Sequence, residues 1–288
     1  YKYFLQSALM SVETSTGHVK AYVGGNDYRF FQYDHVTQAK RQVGSTFKPF
    51  LYSLAMQEGE YTPCTKVPNI SYSIQLPDGK FWEPKDSGKT KLGEEVTLRW
   101  ALAHSNNRIS AYLMKRFGPD AVINIARRMG ITSDIPAVPS ICLGVCDISL
   151  YEMVGAMNTF ANKGVYVKPI FITKIEDKNG NVIDTFEAEQ NEALDEVTAY
   201  KMIELMKGVV YEGTGVRLRF KYGLKNPIAG KTGTTQNQSD GWFMGITPDL
   251  TTGVWTGAED RSVHFKTISL GQGSNTALPI WALYMKKI

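Results

Sequence analysis

Cysteine and histidine are scarce in this sequence, which has three of the former and four of the latter among 288 residues. The odd number of cysteines argues against a disulfide framework. Cys142 and Cys146 could serve as metal ligands, but no further Cys or His stands at ligand spacing from them. We therefore predict buried free thiols at these two positions, with no metal site and no cofactor.

Long apolar runs and a dominant charge of one sign are also missing. No apolar stretch is long enough to span a bilayer, and no secretory signal opens the chain. The net charge of +4 is not gathered into basic stripes, which argues against a nucleic-acid partner. The hydrophobic content of 43% is typical of a globular protein large enough to bury a sizeable core.

Alternating apolar residues predict strands near both ends of the chain. A β-hairpin is predicted over 7–25, a second hairpin over 165–186 around a turn at 178–181, and further strands after residue 228. Apolar residues at helical spacing predict helices between and after these strands. The predicted helices cover 46–58 (closed by Gly59), 96–104, 109–114, 119–129, 149–162, 195–210 and 276–287.

This order of elements predicts a mixed α+β fold. An antiparallel sheet flanked by helices is expected to form one subdomain, at about 1–45 and 165–288. An inserted all-helical lobe is expected at about 46–164, with the active site in the cleft between the two. The stretch 62–94 is rich in Pro, Gly and Asp and predicts a long irregular insertion that lines this cleft.

Ser45 is the only serine with a lysine, Lys48, three residues later. On a helix that begins at Ser45, the hydroxyl and the ammonium lie on the same face. A lysine of lowered pKa can take the serine proton, and the amide of Ser45 in the first helical turn can point at an oxyanion. The alternative is a capping serine beside a solvated lysine, so this motif needs support from elsewhere in the chain.

Two further motifs, Ser105-Asn106-Asn107 and Lys231-Thr232-Gly233-Thr234, give that support. The three motifs in this order are typical of penicillin-binding proteins and class A β-lactamases. The flanking stretches 41–44, 160–164 and 240–243 extend the match. The chain resembles, essentially end to end, the transpeptidase domain of class A (bifunctional) penicillin-binding proteins.

The resemblance implies a peptidoglycan D,D-transpeptidase that works through an acyl-serine intermediate. Ser45 would attack the carbonyl of a D-Ala-D-Ala stem peptide, and Lys48 would take its proton. Ser105 would pass a proton to the leaving D-alanine, and Asn107 would bind the substrate amide and Lys48. A helix cap for Ser105 and loop structure for Asn107 are the alternatives, and Asn106 is assigned no role.

The third motif is expected to recognise the terminal carboxylate of the substrate. Lys231 would supply positive charge and tune Ser105, while Thr232 and Thr234 would offer their hydroxyls. Gly233 would let the substrate backbone pair with the strand edge. The amide of Thr234 would complete the oxyanion hole with that of Ser45. An ordinary edge strand is the alternative.

Trp82, Glu83 and Pro84 lie in the insertion, where they either border the cleft or pack in the core or at its rim.

Two other activities share part of this pattern: a serine β-lactamase and a penicillin-sensing domain without turnover. A lactamase needs a second base for deacylation, which in class A is a glutamate closely followed by an asparagine. Here Glu152 falls within a predicted helix, and no asparagine follows until Asn158. The pattern therefore favours a transpeptidase, with carboxypeptidase side activity because water competes with the acceptor amine.

The resemblance also implies partners and a location. Stem peptides would serve as donor and amine acceptor, and β-lactam antibiotics would be covalent inhibitors. A glycosyltransferase domain and a membrane anchor, neither contained in this chain, are expected upstream. The intact protein is expected at the extracytoplasmic (periplasmic) face of the cell membrane, within a cell-wall synthesis complex.

Overall fold

The structure, a computed structural model, describes residues 4–58, 60–84 and 91–288. In chain order the strands are β1 (Leu5–Glu13), β2 (Val19–Val23), β3 (Lys40–Gln42), β4 (Lys66–Pro68), β5 (Ile74–Gln75), β6 (Phe81–Trp82), β7 (Glu95–Thr97), β8 (Asp147–Ser149), β9 (Val165–Val167), β10 (Lys174–Glu176), β11 (Val182–Thr185), β12 (Gln190–Glu192), β13 (Ala229–Thr234), β14 (Asp240–Ile246) and β15 (Leu250–Ala258). The helices are α1 (Lys48–Gln57), α2 (Leu98–Ala103), α3 (Asn107–Phe117), α4 (Pro119–Arg128), α5 (Leu150–Ala161), α6 (Glu196–Tyr211), α7 (Arg217–Phe220), α8 (Ile268–Gly271) and α9 (Ala277–Met285).

An antiparallel sheet with the order β13-β14-β15-β1-β2 forms the frame of the molecule. Its central strands are buried on both faces because α5 packs on one side and α9 on the other. A β-carbon at Gly253 would lie 2.5 Å from Val154 of α5, and one at Gly245 would lie 2.3 Å from Trp281 of α9. The predicted α+β fold with an antiparallel sheet and flanking helices is confirmed, and β13 lies at the sheet edge as predicted.

Helix α1 lies at the centre of the helical part, and every residue from Lys48 to Met56 is buried. A helix that is apolar on all sides is typical of a core position. The main core cluster joins Phe50 of α1 and Ile109 of α3 to Met10 and Trp255 of the sheet. The apolar core therefore runs across the predicted subdomain boundary, which itself remains a prediction.

The helix predicted from residue 46 begins two residues later. A 3₁₀ turn over Gly44–Phe47 carries Ser45, and α1 starts at Lys48. Pro49, which has no amide hydrogen, is accommodated in the first turn of α1, where amides have no intrahelical partner. Gly59, predicted to end this helix, lies outside the described residues.

The second predicted hairpin forms only in part. Strands β10 and β11 pair around the predicted turn, but β9 pairs with β12 instead, and neither ladder joins the main sheet. Pro169 follows β9, and a proline cannot donate a ladder hydrogen bond, so the long strand predicted over 165–175 is interrupted.

Two short ladders, β4 with β7 and β5 with β6, form the described part of the insertion. Cys142 and Cys146 are buried free thiols, as predicted, and burial raises the pKa of each to about 12. Within the described residues, no helix combines the length and apolarity needed to cross a membrane.

Candidate active site

The turn that carries Ser45 is pressed against strand β13. Gly44 has a φ of +54°, and a β-carbon there would lie 2.7 Å from the carbonyl oxygen of Thr234 and 3.3 Å from its amide nitrogen. The other side of the turn is held by the hydrogen bond from the Gly44 amide to the Gly144 carbonyl, at 3.1 Å. Only glycine combines this φ with such close backbone approach, so Gly44 sets the distance between Ser45 and Thr234.

Ser45 lies in a 3₁₀ turn, a geometry that also places it on the same side of the chain as Lys48. Residues three apart are eclipsed in 3₁₀ geometry, which is closer alignment than an α-helix would give. Lys48 is fully buried, and its Nζ donates to the Ser105 carbonyl at 2.5 Å and to Asn107 Oδ1 at 2.7 Å. The first two motifs are thus joined through the Lys48 ammonium.

Ser105 stands between two buried lysines. Its Oγ lies 3.3 Å from Lys48 Nζ and 3.0 Å from Lys231 Nζ. Ser105 has a φ of +55°, in the left-handed region that costs a residue other than glycine roughly 1–3 kcal/mol. Since the Lys231 ammonium can donate to its oxygen, the Ser105 hydroxyl hydrogen remains available to point into the cleft.

The cap of α3 is Asn106 and not Ser105. Asn106 Oδ1 accepts a hydrogen bond from the Ile109 amide at 2.9 Å, and its Nδ2 donates to Asn69 Oδ1 at 3.0 Å. The alternative role of Ser105 as a helix cap is therefore wrong. Asn106, for which the sequence predicts no catalytic role, holds the motif at the helix terminus, and asparagine is a residue type that favours this capping position.

Lys231 brings a second positive charge into the same site. The side chain is fully buried, and its Nζ also donates to the Thr232 carbonyl at 3.0 Å. Burial and, after it, the charge of Lys48 hold the pKa of Lys231 well below its usual 10.5. Two buried lysines this close to one hydroxyl create a strong preference for an anion in the adjoining cavity.

The side chains of Thr232 and Thr234 are held by residues outside the motif. Thr232 Oγ1 lies 2.6 Å from Thr214 Oγ1, and Thr234 Oγ1 accepts from the Gly273 amide at 3.0 Å. Thr214 was not predicted as a site residue. It reaches the site because its amide donates to the Ala103 carbonyl at 3.1 Å, next to the second motif. In the sequence, the only local indication that Thr214 belongs to the site is the end of the helical pattern after α6.

Close packing against the turn that carries Ser45 requires a glycine at position 233. A β-carbon there would lie 2.8 Å from the Val43 carbonyl oxygen and 2.9 Å from the Thr46 methyl. The missing side chain thus makes room for the turn that carries Ser45. The role of Gly233 in pairing with substrate stays a prediction.

Two cavities meet at Ser45. The smaller one, of about 220 Å³, is lined by Ser105, Thr214 and Thr232. The larger one, of about 440 Å³, is lined by Trp82, Glu83 and Pro84 from the insertion. Both include Ser45, Asn107, Thr234 and Thr235. Of the two alternatives for the insertion residues, the structure therefore supports the position at the cleft.

Glu152 lies away from this site, in the first turn of α5. Its carboxylate accepts from the amides of Thr132 and Ser133 and from the Ser133 and Ser149 hydroxyls, and it forms a capping box with Ser149. Burial alone would raise the pKa of Glu152, but the hydrogen bonds from Ser133 and Ser149 outweigh it and lower the pKa to about 2. Glu152 lines neither cavity at Ser45 and binds a loop to α5 instead.

Known proteins match this chain over nearly its whole length. Residues 8–260 match the family model described as "Penicillin binding protein transpeptidase domain". The chain is 36% identical over 285 residues to penicillin-binding protein 1A of Aquifex aeolicus, covering 99% of this chain and 38% of that protein. It is 37% identical over 290 residues to penicillin-binding protein 1A of Neisseria meningitidis serogroup A, covering 98% of this chain and 36% of that protein.

Solved structures also match this chain over nearly its whole length. The crystal structure of penicillin-binding protein 1A from Haemophilus influenzae has a TM-score of 0.90 and 26% identity, covering 98% of this chain and 47% of that one. The PonA1 protein of Mycobacterium tuberculosis in complex with penicillin V has a TM-score of 0.79 and 25% identity, covering 98% and 77% of the two chains. This chain thus spans well under half the length of the two curated relatives.

Proposed function

The chain belongs to the penicillin-binding protein transpeptidase family, and we propose that it cross-links peptidoglycan stem peptides through an acyl-serine intermediate on Ser45. The observation that carries the proposal is the position of Ser105 Oγ, within hydrogen-bond distance of both buried lysines and in the cavity that Ser45 lines. This arrangement offers a nucleophile, a base, a proton donor and an anion site within one cleft.

Acylation begins with removal of the Ser45 proton. In its neutral form Lys48 has two N–H bonds, which can be donated to the Ser105 carbonyl and to Asn107 Oδ1. Its lone pair can then accept the proton of Ser45, which lies one 3₁₀ turn away. The Ser45 Oγ–carbon bond forms, and negative charge develops on the carbonyl oxygen. The amides of Ser45 and Thr234 are proposed to bind this oxyanion, which the contact of Gly44 with Thr234 supports.

Collapse of this intermediate breaks the bond to the leaving D-alanine, whose nitrogen takes a proton from the Ser105 hydroxyl. Lys48 can return a proton to Ser105 because Lys48 Nζ lies 3.3 Å from Ser105 Oγ. Thr232 and Thr234, which line the smaller cavity, bind the carboxylate of the leaving residue there, and the charge of the buried Lys231 attracts it. The acceptor amine then attacks the acyl carbon, the bond to Ser45 Oγ breaks, and the proton that the amine loses passes to that oxygen.

The test is covalent labelling with a fluorescent penicillin, followed by mass spectrometry of the labelled peptide. The label is expected on Ser45, and Ser45→Ala is expected to abolish labelling while its unfolding curve stays that of the parent chain. A label on any other serine would contradict the proposal.

The alternative of a β-lactamase predicts rapid release of penicilloate. Deacylation needs a base that directs water at the ester, and Glu152 is hydrogen-bonded elsewhere and lines neither cavity. We expect a purified benzylpenicillin adduct to persist for many minutes, whereas continuous turnover would identify a lactamase. Turnover of a stem-peptide or thioester substrate separates the transpeptidase from a penicillin sensor, which acylates and stops.

We further propose that this chain acts at the extracytoplasmic face of the cell membrane, on stem peptides as donor and amine acceptor, with β-lactams as covalent inhibitors. The name of the curated relatives, penicillin-binding protein 1A, supports β-lactams as ligands, and the location and the stem peptides are expectations from the family resemblance. Labelling of intact cells by a membrane-impermeant penicillin is the expected result. Labelling only after lysis would contradict the assignment.

A further inference from the structure

The two cavities that meet at Ser45 differ in charge. Ser105 lines the smaller cavity and is hydrogen-bonded to Lys48 and Lys231, so that cavity attracts anions. The described lining of the larger cavity contains no lysine or arginine, and Asn107 is the lining residue that contacts a buried lysine, Lys48. Among the described residues that line the larger cavity, Glu83 carries the only ionic charge, and the Trp82 ring lies next to it in the chain.

Under the proposed function, the position of the scissile carbonyl decides what each cavity holds. The residue that leaves carries the terminal carboxylate and occupies the smaller, positively charged cavity. The chain on the other side of the carbonyl has to extend from Ser45 in another direction. Asn107, which lines both cavities, is positioned to bind an amide of this chain as it enters the larger cavity.

The larger cavity therefore holds the acyl part of the donor, which stays attached to Ser45 after the leaving group departs. Its volume of about 440 Å³ is sufficient for one large side chain with its backbone. Leu143 and Val145 give it an apolar wall, and Glu83 and Trp82 lie on the insertion side. A carboxylate beside an indole ring is a suitable environment for an ammonium group.

We propose that Glu83 is a specificity-determining residue, which selects acyl donors with a positively charged amine on the part that remains bound to Ser45. This inference rests on the proposed function, because it assigns the acyl side of the same reaction. Glu83 is exposed, so the selection is a moderate electrostatic preference that salt screens.

Three penicillins that differ by one group test this proposal. Benzylpenicillin has an uncharged phenylacetyl side chain, ampicillin adds an α-ammonium to it, and carbenicillin adds an α-carboxylate. The measurement is the second-order rate constant of acylation, with each value divided by that of benzylpenicillin on the same variant. Glu83→Gln is expected to lower the ampicillin ratio about threefold and to raise the carbenicillin ratio about threefold. In the parent chain, 1 M salt should reduce both preferences.

Glu94→Gln is the matched control. Glu94 is an exposed residue of the same insertion and does not line the cavity, so its loss removes the same charge from a different place. Both ratios should stay at parental values in this variant. Equal shifts in the two variants would overturn the proposal in favour of a general field from the insertion.

The failure of this inference is distinguishable from failure of the proposed function. Ratios that do not change in Glu83→Gln, in a chain that acylates normally, would overturn the role of Glu83 alone. Absence of acylation by all three penicillins in the parent chain would overturn the proposed function, and the role of Glu83 with it.

Discussion

Arg41 Nε lies 2.8 Å from the carboxylate of Asp240, 199 positions later in the chain. Asp240 is fully buried and also accepts hydrogen bonds from Trp255 Nε1 and the Thr235 hydroxyl, both at 3.1 Å. Arg41 precedes the turn that carries Ser45, and Thr235 directly follows β13. The pair therefore ties together the two segments whose amides are proposed to bind the oxyanion.

Asp240→Asn should destabilise the protein by about 3 kcal/mol, because it leaves the Arg41 charge without its buried counterion. The acylation rate constant should also fall, by about tenfold to hundredfold, since Ser45 and Thr234 lose their fixed separation. Urea unfolding and penicillin acylation measure the two effects.

Arg261 provides the control for this pair. Its side chain is 42% exposed and lies 3.6 Å from the same carboxylate, so Arg261→Ala should cost less than about 1 kcal/mol. Equal losses in Asp240→Asn and Arg261→Ala would show that the contact between Arg41 and Asp240 is not the dominant one.

Lys48→Ala should slow acylation by ~10²–10⁴-fold, because without a base the Ser45 hydroxyl keeps its proton. Lys48→Arg is the informative companion, since a guanidinium keeps the positive charge but does not accept a proton at neutral pH. Stopped-flow acylation is the measurement. If the arginine variant acylated at nearly the parental rate, Lys48 would serve as a charge and not as the base.

Acylation by penicillins should decline on the alkaline side of a pH profile. Lys231 attracts the carboxylate only when protonated, and its pKa is held well below 10.5 by burial and by Lys48. The second-order rate constant should therefore fall as pH rises through this lowered value, earlier than for an ordinary lysine. A penicillin methyl ester, which has no carboxylate, should lack this decline. Lys231→Ala should likewise harm the parent compound more than the ester, and equal losses would refute this role.

Thr214→Val should lower acylation by carboxylate-bearing penicillins about threefold to tenfold. The substitution keeps the side-chain volume but removes the 2.6 Å contact that orients the Thr232 hydroxyl. Thr214→Ser, which keeps the hydroxyl, should restore most of the rate. A loss of the same size with the methyl ester would mean that Thr214 supports the fold and does not position the carboxylate ligand.

The stability of the protein should fall between about pH 4.5 and about pH 2 through Glu152. Its pKa is about 2 in the folded protein against an ordinary value of 4.5, so its contribution is complete above pH 4.5 and is lost as the carboxylate protonates. The difference corresponds to about 3 kcal/mol, which we reduce to about 2 kcal/mol because the group is partly exposed to solvent.

Urea unfolding of Glu152→Gln at several pH values tests this expectation. The variant should be less stable at neutral pH and should approach the parent near pH 2, with an unchanged lifetime of the penicillin adduct. A shortened or lengthened adduct lifetime would instead connect Glu152 with deacylation.

Features that depend only on residues close together in the chain could be predicted from the sequence. The caps of α2 at Thr97 and of α5 at Ser149 are local features, because each capping side chain accepts a hydrogen bond from the amide three residues later. The first hairpin and the edge position of β13 follow from alternation and from the order of the strands. The three motifs identified the family, because each is a short run of residue types that can be recognised in the sequence without the structure.

Contacts between distant residues were decided by the tertiary structure alone. The position of Ser105 between Lys48 and Lys231 joins positions separated by 57 and 126 residues. The partnership of Thr214 with Thr232 depends on where a loop after α6 meets α2, and that of Arg41 with Asp240 spans 199 positions. Periodicity and capping describe neighbours within a few residues, whereas these distances are fixed by how the helices and the sheet pack around one shared core.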